Sequence, residues 1–542
     1  MESSSTLAPL RIPIFRALWI ATTFSSFGSL VQAVGAGWMM ASISDSAAMV
    51  ALVQASTTLP IMAFSLMSGA IADGFDRRIV MLSAQIFMAL VSAALAVCAW
   101  FDVITPWLLL GFTFLIGCGG AFNNPAWQAS VGDIVPRQDV PSAVLLNSVG
   151  FNVTRSVGPA LGGAIVAAAG AASAFAVNAL SYFGLIAVLW RWRPETERST
   201  LPREALTAAM TTGIRYVALS PNIVKVLMRG FVFGLTAVVV LALLPLVAKH
   251  LVQGDALVFG ILLGAYGVGA VGGAMVSRWL REHLTNEILV RWSFVAFAIC
   301  AAITGLSPDM WLTAAALTLG GGAWVIALSL FNTTVQMSTP RWVVGRALSL
   351  YQMAIFGGMA GGSWLWGSVA EISSPQWALL IASVAMLAGA AIGLKVPLPS
   401  RANLNLDPLN SWQEPSVAMR IEPRSGPVCI AVEYLVDDAD VTEFLDTMAE
   451  RRRIRRRDGA HDWMLTQDMA NPRLWIESYE VPTWVDYVRF HSRTTYADAH
   501  VGDHVRALHR GEWPPNVRRR LIWKASPNGR GTPPAPTPTE IV

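Results

Sequence analysis

Apolar runs of about 20 residues recur through the first 395 positions, and no other feature of this chain constrains its fold as strongly. A run of that length crosses roughly 30 Å of hydrocarbon as a helix. Charge divides at the same place. Residues 1–395 hold 20 Lys+Arg and 15 Asp+Glu, whereas the remaining 147 hold 19 and 20. Charge density therefore rises from about 9% to about 27%, the second figure being close to the ~25% of soluble domains. The first part is a solute for a lipid bilayer, the second a water-soluble appendage.

The runs and their breakers predict twelve spans near Ala17–Ala41, Met49–Ala72, Ile79–Trp100, Pro106–Ser130, Ala143–Ala167, Ala172–Trp190, Ile223–Ala248, Leu257–Ser277, Asn286–Gly305, Met310–Thr334, Ala347–Ala370 and Gln376–Leu394. Arginine orients them. The even-numbered connections carry Arg77, Arg78, Arg137, Arg191, Arg193, Arg198, Arg203, Arg278, Arg281, Arg341 and Arg346, while the odd-numbered ones carry only Lys249. Basic loops stay on the cytoplasmic side, so a multi-pass protein of the cell (inner) membrane with both termini cytoplasmic is expected. The +4 net charge reflects this loop bias and gives no reason to expect a nucleic-acid partner. No cleavable signal is expected, because the short, nearly uncharged Met1–Leu10 leads directly into the first span.

A weak internal repeat adds a division. GAIADGFDRR (Gly69–Arg78) follows span 2 and GAMVSRWLRE (Gly273–Glu282) follows span 8. FNNPAWQ (Phe122–Gln128) ends span 4 and FNTTVQ (Phe331–Gln336) ends span 10, each ahead of a Pro-Arg pair. Two matched pairs in the same order argue for two six-helix halves, with any substrate site near the midplane between them. The expected divisions are residues 1–192 for the first half, 193–222 for a central cytoplasmic loop and 223–395 for the second half. A linker at 396–426, a small domain at 427–525 and a Pro/Thr-rich, disordered tail at 526–542 complete the chain.

Two motifs carry a resemblance. GAIADGFDRR is similar to the loop motif between helices 2 and 3 of the major facilitator superfamily, with Gly69, Asp73, Arg77 and Arg78 matching and Gly74 and Asp76 departing from it. The resemblance implies a cytoplasmic gate, with Asp73 at a facing helix N-terminus and Arg77 paired with Asp133. A plain charged turn is the alternative. NVTRSVGPALGG (Asn152–Gly163) resembles the helix 5 motif of that superfamily's antiporters. Gly158, Gly162 and Gly163 permit close helix contact, and Pro159 removes a backbone bond. The arrangement as a whole resembles the enterobactin-exporter-like branch. That implies a secondary transporter exporting a small drug- or siderophore-like molecule by alternating access, coupled to protons and needing no cofactor.

Arg155 is the most informative single residue, because it falls near the middle of span 5. A guanidinium there costs at least about 2.5–3.5 kcal/mol on insertion scales, so it is expected to face a wet cavity. It contacts substrate or counter-charges a proton in one reading, and bonds to helix carbonyls, Asn152 or Asn123 in the other. Arg229 and Arg291 lie near helix ends and are expected to snorkel. No Asp or Glu falls in the middle of any span, which leaves Asp133, Asp73 or the substrate itself as proton carrier. Gln32, Asn123, Asn124, Gln128, Asn152, Asn332 and Gln336 are further cavity candidates, with interhelical hydrogen bonding as the alternative for each. Trp19, Trp100, Trp107 and Trp190 are expected at the membrane interfaces.

Beyond residue 427 the pattern is that of a soluble fold. Strands are expected at Val428–Val436, Trp463–Gln467, Leu474–Tyr479 and Arg520–Trp523, with helices at Asp440–Arg457, Thr483–Phe490 and Thr495–His509. That order is a ferredoxin-like sandwich and looks like the antibiotic-biosynthesis-monooxygenase, or dimeric α+β-barrel, type, which implies homodimer formation. The six arginines within Arg451–Arg457 read as a solvated face, with anionic headgroups as a second reading. His500 and His504 have the spacing of a metal pair but no evident third ligand, and Cys98, Cys118, Cys300 and Cys429 show no metal pattern, so no metal site is expected. The chain is therefore expected to be a transporter and not an enzyme. A catalytic or sensory C-terminal domain is the alternative.

Overall fold

The computed structural model describes residues 7–136, 139–193, 206–340, 342–398 and 405–523, apart from 408, 410–413, 416 and 513. Arg137, Arg198, Arg203, Arg341 and the tail from 526 lie outside the described residues, as do the side chains of Asp73 and Asp133. The chain separates into two compact units. The first comprises residues 1–203, 225–334 and 348–400, and the second comprises 204–224, 335–347 and 401–542.

The first unit is helical. Its elements are α1 (Pro13–Ile43), α2 (Ala47–Gly74), α3 (Arg77–Trp100), α4 (Pro106–Ile134) and α5 (Val140–Arg191). A short helix, α6 (Leu206–Ala218), belongs to the second unit. Then follow α7 (Pro221–Leu246), α8 (Ala256–His283), α9 (Asn286–Leu306), α10 (Met310–Met337), α11 (Val344–Ile372) and α12 (Pro375–Lys395). Ten of these are long and apolar enough to cross a membrane, among the described residues. One of the ten, within α5, is 50 residues long and counts as two spans. Gly170 divides it, with φ 78° and ψ 169°, a conformation open essentially to glycine alone. The break falls between the fifth and sixth spans expected from the sequence. Helix starts are chemically marked. Ser46, Thr105, Asp255, Thr285 and Ser374 each accept a hydrogen bond from a backbone N–H of the first turn, which satisfies an otherwise orphaned donor.

The two halves are stabilised differently. In the first, Gln32 on α1, Ser92 on α3 and Asn178 on α5 form one buried network. The Ser92 hydroxyl donates to Gln32 Oε1 at 2.7 Å, and Asn178 Nδ2 donates to the same oxygen and to Tyr182 Oη at 3.1 Å. In the second half Phe233 is the hub of an apolar cluster, with Phe294, Phe297, Trp324 and Phe331 at centroid distances of 5.0, 5.9, 5.6 and 6.2 Å. Trp100, Trp107 and Trp190 are exposed at helix ends. Trp19, near the start of α1, donates its Nε1 to the Leu146 carbonyl at 3.0 Å and so ties α1 to α5.

The second unit holds a four-stranded antiparallel sheet of β1 (Val428–Leu435), β2 (His461–Gln467), β3 (Leu474–Val481) and β4 (Val517–Leu521), in the order β2-β3-β1-β4. Helices α13 (Val441–Asp458), α14 (Trp484–Ser492) and α15 (Tyr496–Ala507) accompany it. β1 pairs with β3 from Val428↔Val481 to Leu435↔Leu474, and with β4 from Val428↔Leu521 to Val432↔Val517. The last strand thus begins three residues before the sequence suggests. Its Arg518–Arg520 run carries no hydrophobic alternation, and pairing with β1 sets the register instead. Ile430, Val432, Tyr434, Phe444, Met448, Tyr479, Tyr487 and Phe490 fill the core.

The solvated reading of the α13 arginines is corrected by this unit. Phe444, Met448, Arg451 and Arg455 follow helical spacing, and the two guanidinium groups face the sheet. They reach the fully buried Glu477 of β3 at 2.9 and 3.1 Å. Arg457 is buried as well, between Asp458 at 2.8 Å and Asp498 at 2.9 Å. A partnered buried charge is tolerated where a lone one is not. Within the same unit, Arg457 Cζ lies 4.9 Å from the Tyr216 ring of α6, and Arg493 Cζ lies 4.2 Å from the ring of Trp342, in the connection between α10 and α11.

Candidate functional site

Five helices of the first unit, α1, α2, α5, α7 and α8, enclose a cavity of about 240 Å3 at the seam between the halves. Its walls are mostly aliphatic and aromatic, including Leu30, Phe151, Leu241 and Phe259. Three groups give it polarity: Gln54 from α2, Arg155 from α5 and Tyr266 from α8. The guanidinium Cζ of Arg155 stands 5.7 Å from the Tyr266 ring centroid. The buried Tyr266 hydroxyl is left without a hydrogen bond of ordinary geometry. No carboxylate pairs with Arg155 among the described residues. The seam therefore holds a half-buried cation that faces the Tyr266 ring and has no carboxylate partner among the described residues. In low dielectric such a charge favours an anion or an electron-rich oxygen.

The Gly-Pro motif sets how closely the surrounding helices approach. A Cβ at Gly158 would meet Leu30 of α1 at 3.1 Å, and one at Gly162 would meet Val31 Cα at 3.0 Å. On the other side, a Cβ at Gly163 would stand 2.6 Å from the Ala256 carbonyl oxygen and 2.9 Å from Gly260 Cα. The close approach continues to Gly267, whose Cβ would meet the Arg155 carbonyl at 2.3 Å. Beyond it Gly269 and Gly273 of α8 face α10 instead, Gly269 against Thr318 and Gly273 against Gly322. The halves are thus zipped along the arginine-poor part of α5 and α8, and α8 turns toward its own half beyond it. Glu371 at the end of α11 adds a clasp on the same side. Its carboxylate accepts from the Ser46 hydroxyl at 2.9 Å and the Ala48 N–H at 3.1 Å, where the N-terminus of α2 favours negative charge. The Lys249 ammonium donates to the Ala41 carbonyl nearby.

The other sequence-derived candidates are dispersed. Gln32, only 5% exposed, belongs to the buried network of the first half, which is the interhelical alternative. Asn123 Oδ1 accepts from Gln85 Nε2 at 3.0 Å, linking α4 to α3. Asn124 and Gln128 are exposed one turn apart on α4, Gln336 is exposed on α10, and Asn152 and Asn332 are half-buried. In the loop after α2, Arg77 Nη1 donates to the Ala129 carbonyl of α4 at 2.9 Å. Arg78 donates to the Leu189 and Trp190 carbonyls, both at 2.9 Å, which caps the end of α5. Gly69 lies against Ser349 of α11.

Three features escaped the sequence reading. Arg229 does not snorkel: it is fully buried and meets Glu287 Oε1 at 3.3 Å and the Val396 carbonyl at 3.2 Å. Glu287 in turn accepts the Leu398 N–H at 2.8 Å, so one ion pair binds the basic ends of α7, α9 and α12. The third is the Glu371 clasp, whose partners lie 325 and 323 residues away and leave no local trace. Among the described residues no three His, Cys, Asp or Glu gather as a metal site, and His504 pairs with Glu443 at 2.9 Å.

Comparison with known proteins gives this geometry a context. The transmembrane secretion effector family matches residues 4–528. The staphyloferrin A transporter of Staphylococcus aureus is 27% identical over 259 residues, covering 46% of this chain and 63% of the relative. The chain thus spans somewhat under two thirds of that relative's length. The multidrug efflux pump Tap of Mycolicibacterium fortuitum is 23% identical, over 71% of this chain and 96% of the relative. The enterobactin exporter EntS of Escherichia coli is 25% identical, over 69% and 91%. Among solved structures, the transporter PepTSo matches at a TM-score of 0.58 with 13% identity, over 72% of this chain and 97% of that one. At that identity the match speaks for the fold alone.

Proposed function

The chain belongs to the transmembrane secretion effector family of the major facilitator superfamily, and from that premise we propose that it exports a small drug- or siderophore-like organic molecule by alternating access. The observation that carries this reading is the seam cavity, where Arg155 stands between helices of both halves without a carboxylate partner among the described residues. The cargo supplies the missing partner as a carboxylate, phenolate or similar oxygen, held by the planar guanidinium fork. The α5–α8 zipper and the Glu371 clasp close the arginine-poor face in this state, and the opposite state requires both to part. The names of the staphyloferrin A, enterobactin and drug transporters among its relatives support the cargo class. The arginine-rich loops support a cytoplasmic position for both termini and α6, and in this reading cargo efflux runs against inward proton flow.

Cellular accumulation of a panel of carboxylate- and phenolate-bearing compounds, with and without a protonophore, tests the reading. Wild-type cells accumulate less cargo than cells lacking the protein, and the protonophore abolishes the difference. Arg155→Lys transports poorly and Arg155→Ala more poorly, while both reach the membrane. Unchanged cargo affinity in Arg155→Ala would make the residue structural and overturn the assignment of the site.

A further inference from the structure

The C-terminal sandwich contains a second cavity, of about 390 Å3, between the face of its sheet and helices α13 to α15. That volume falls within the roughly 300–1,000 Å3 of small-molecule sites. Aromatic faces dominate its walls, with Tyr434, Tyr479, Tyr487 and Phe490 all lining it. Against them stand Arg451 and Arg455, which share the single carboxylate of Glu477. Arg455 stacks on Tyr479, its Cζ 4.6 Å from the ring centroid.

Counting charge around this cavity leaves a surplus. Among the described residues Glu477 is the one acid paired with Arg451 and Arg455, and it also accepts Trp463 Nε1 at 3.1 Å and the Tyr434 hydroxyl at 3.3 Å. Burial pushes its pKa up, but Arg451 and Arg455 outweigh that and hold it at about 2, so it stays ionised. Asp458 and Asp498 are both taken by Arg457. Arg519, exposed on β4, donates its Nε to the Tyr487 hydroxyl at 2.7 Å. His491 adds no positive charge near neutrality, because burial and then Arg455 depress its pKa to about 4. Arg506 also lines the cavity and pairs with Asp503 at 3.1 Å. Among the described residues, five guanidinium groups, those of Arg451, Arg455, Arg457, Arg506 and Arg519, thus meet four carboxylates, and the excess charge lies beside the aromatic side chains.

We propose that this cavity is a second ligand site, distinct from the Arg155 cavity, for a small planar aromatic molecule bearing one carboxylate or phenolate group. The ring inserts among Tyr434, Tyr479 and Phe490, and the anionic oxygen meets Arg451, Arg455 and Arg519. Such a ligand neutralises the surplus charge that Glu477 leaves. The α13 helix that forms one wall also carries Arg457 against Tyr216 of α6. The wall of the site is thus tied to α6 within the same unit.

Calorimetric titration of the purified full-length protein with 2-naphthoate, and with neutral 2-naphthamide as control, tests this. One equivalent of 2-naphthoate is expected to bind both the wild type and Arg155→Ala, with 2-naphthamide at least about tenfold weaker. Arg455→Met leaves Glu477 its Arg451 partner, so it preserves the fold and weakens 2-naphthoate by roughly ten- to hundredfold. Ala499→Leu fills the cavity without touching a charge and blocks binding independently. The proposal is overturned if the wild type binds no 2-naphthoate at millimolar concentration or binds the amide equally well. It is also overturned if Arg155→Ala abolishes binding, or if both cavity variants, melting as the wild type does, retain it.

Discussion

Replacing Gly163 by alanine tests the zipper that closes the arginine-poor face. The added methyl would lie 2.6 Å from the Ala256 carbonyl oxygen and 2.9 Å from Gly260 Cα, against the 3.4–4 Å of ordinary contact. Both neighbours are backbone, so no side chain can swing aside and the two helices must part by about 1 Å. Overpacking of this kind costs about 1–3 kcal/mol. The strain exists only while α5 and α8 are in contact, so the cost falls on the closed state alone. A differential of 1–3 kcal/mol shifts a two-state equilibrium by roughly 5- to 150-fold. Spin labels at Ala168 and Leu257, in a background without the native cysteines, would report the α5–α8 separation on this face. Gly163→Ala should enlarge the long-distance population and slow transport. Gly260→Ala should do the same, since its own Cβ would meet Gly163 Cα at 2.7 Å, and the two should be less than additive because they strain one contact. Gly111→Ala is the control, having nothing within 4 Å. Unchanged distances and wild-type transport in both zipper variants would refute the reasoning.

Removing one partner of the Arg229–Glu287 pair leaves a buried charge uncompensated, at about 3–5 kcal/mol. Glu287→Gln or Arg229→Met alone should therefore lower the melting temperature in detergent more than the double variant does. Gly170→Ala forces a side chain into a glycine-only conformation at a cost of about 1–3 kcal/mol; thermal melting should fall although no neighbour lies within 4 Å. His491 has a folded pKa of about 4 against 6.5 unfolded, so its contribution is complete above pH 6.5 and is lost as pH falls toward 4. Its ceiling is about 3 kcal/mol. Melting of the C-terminal unit followed by tryptophan fluorescence should decline across that window, and His491→Phe should flatten the decline, since Glu477 remains ionised until near pH 2.

The membrane part was legible because lipid enforces long apolar runs, so the helical spans and the break between the fifth and sixth follow from the pattern alone. The strand order of the C-terminal sandwich was legible from period-2 segments such as Val428–Leu435. What escaped were the long-range partners. Glu371 looks like an ordinary helix-end acid until α2 is brought beside it. Arg451 and Arg455 look solvated in an arginine run, although their spacing from Phe444 and Met448 places all four on one helical face. Reading that face by period and setting composition aside would have turned them inward. Arg229 was misread because its acid, Glu287, is 58 residues away on another helix.

The contrast between the two halves bears on coupling. The second half is anchored by the rings around Phe233, which cannot titrate. The polar interior of the first half, Gln32, Ser92, Asn178 and Tyr182, is mutually hydrogen-bonded and carries no acid. Acids stand at helix ends: Asp76, Asp255 and Asp309 cap first turns, and Glu371 clasps α2. Glu371 therefore bears on a closure: removing its charge takes away what holds the α2 N-terminus on the arginine-poor face. The proposed cargo contact, by contrast, lies at the seam through Arg155. A change at the clasp reaches that contact only through the population of the closed state. Glu371→Gln should accordingly leave Arg155 able to bind cargo but lower the closed-state population. An unchanged α5–α8 distance distribution in this variant would show that the clasp does not hold the closure.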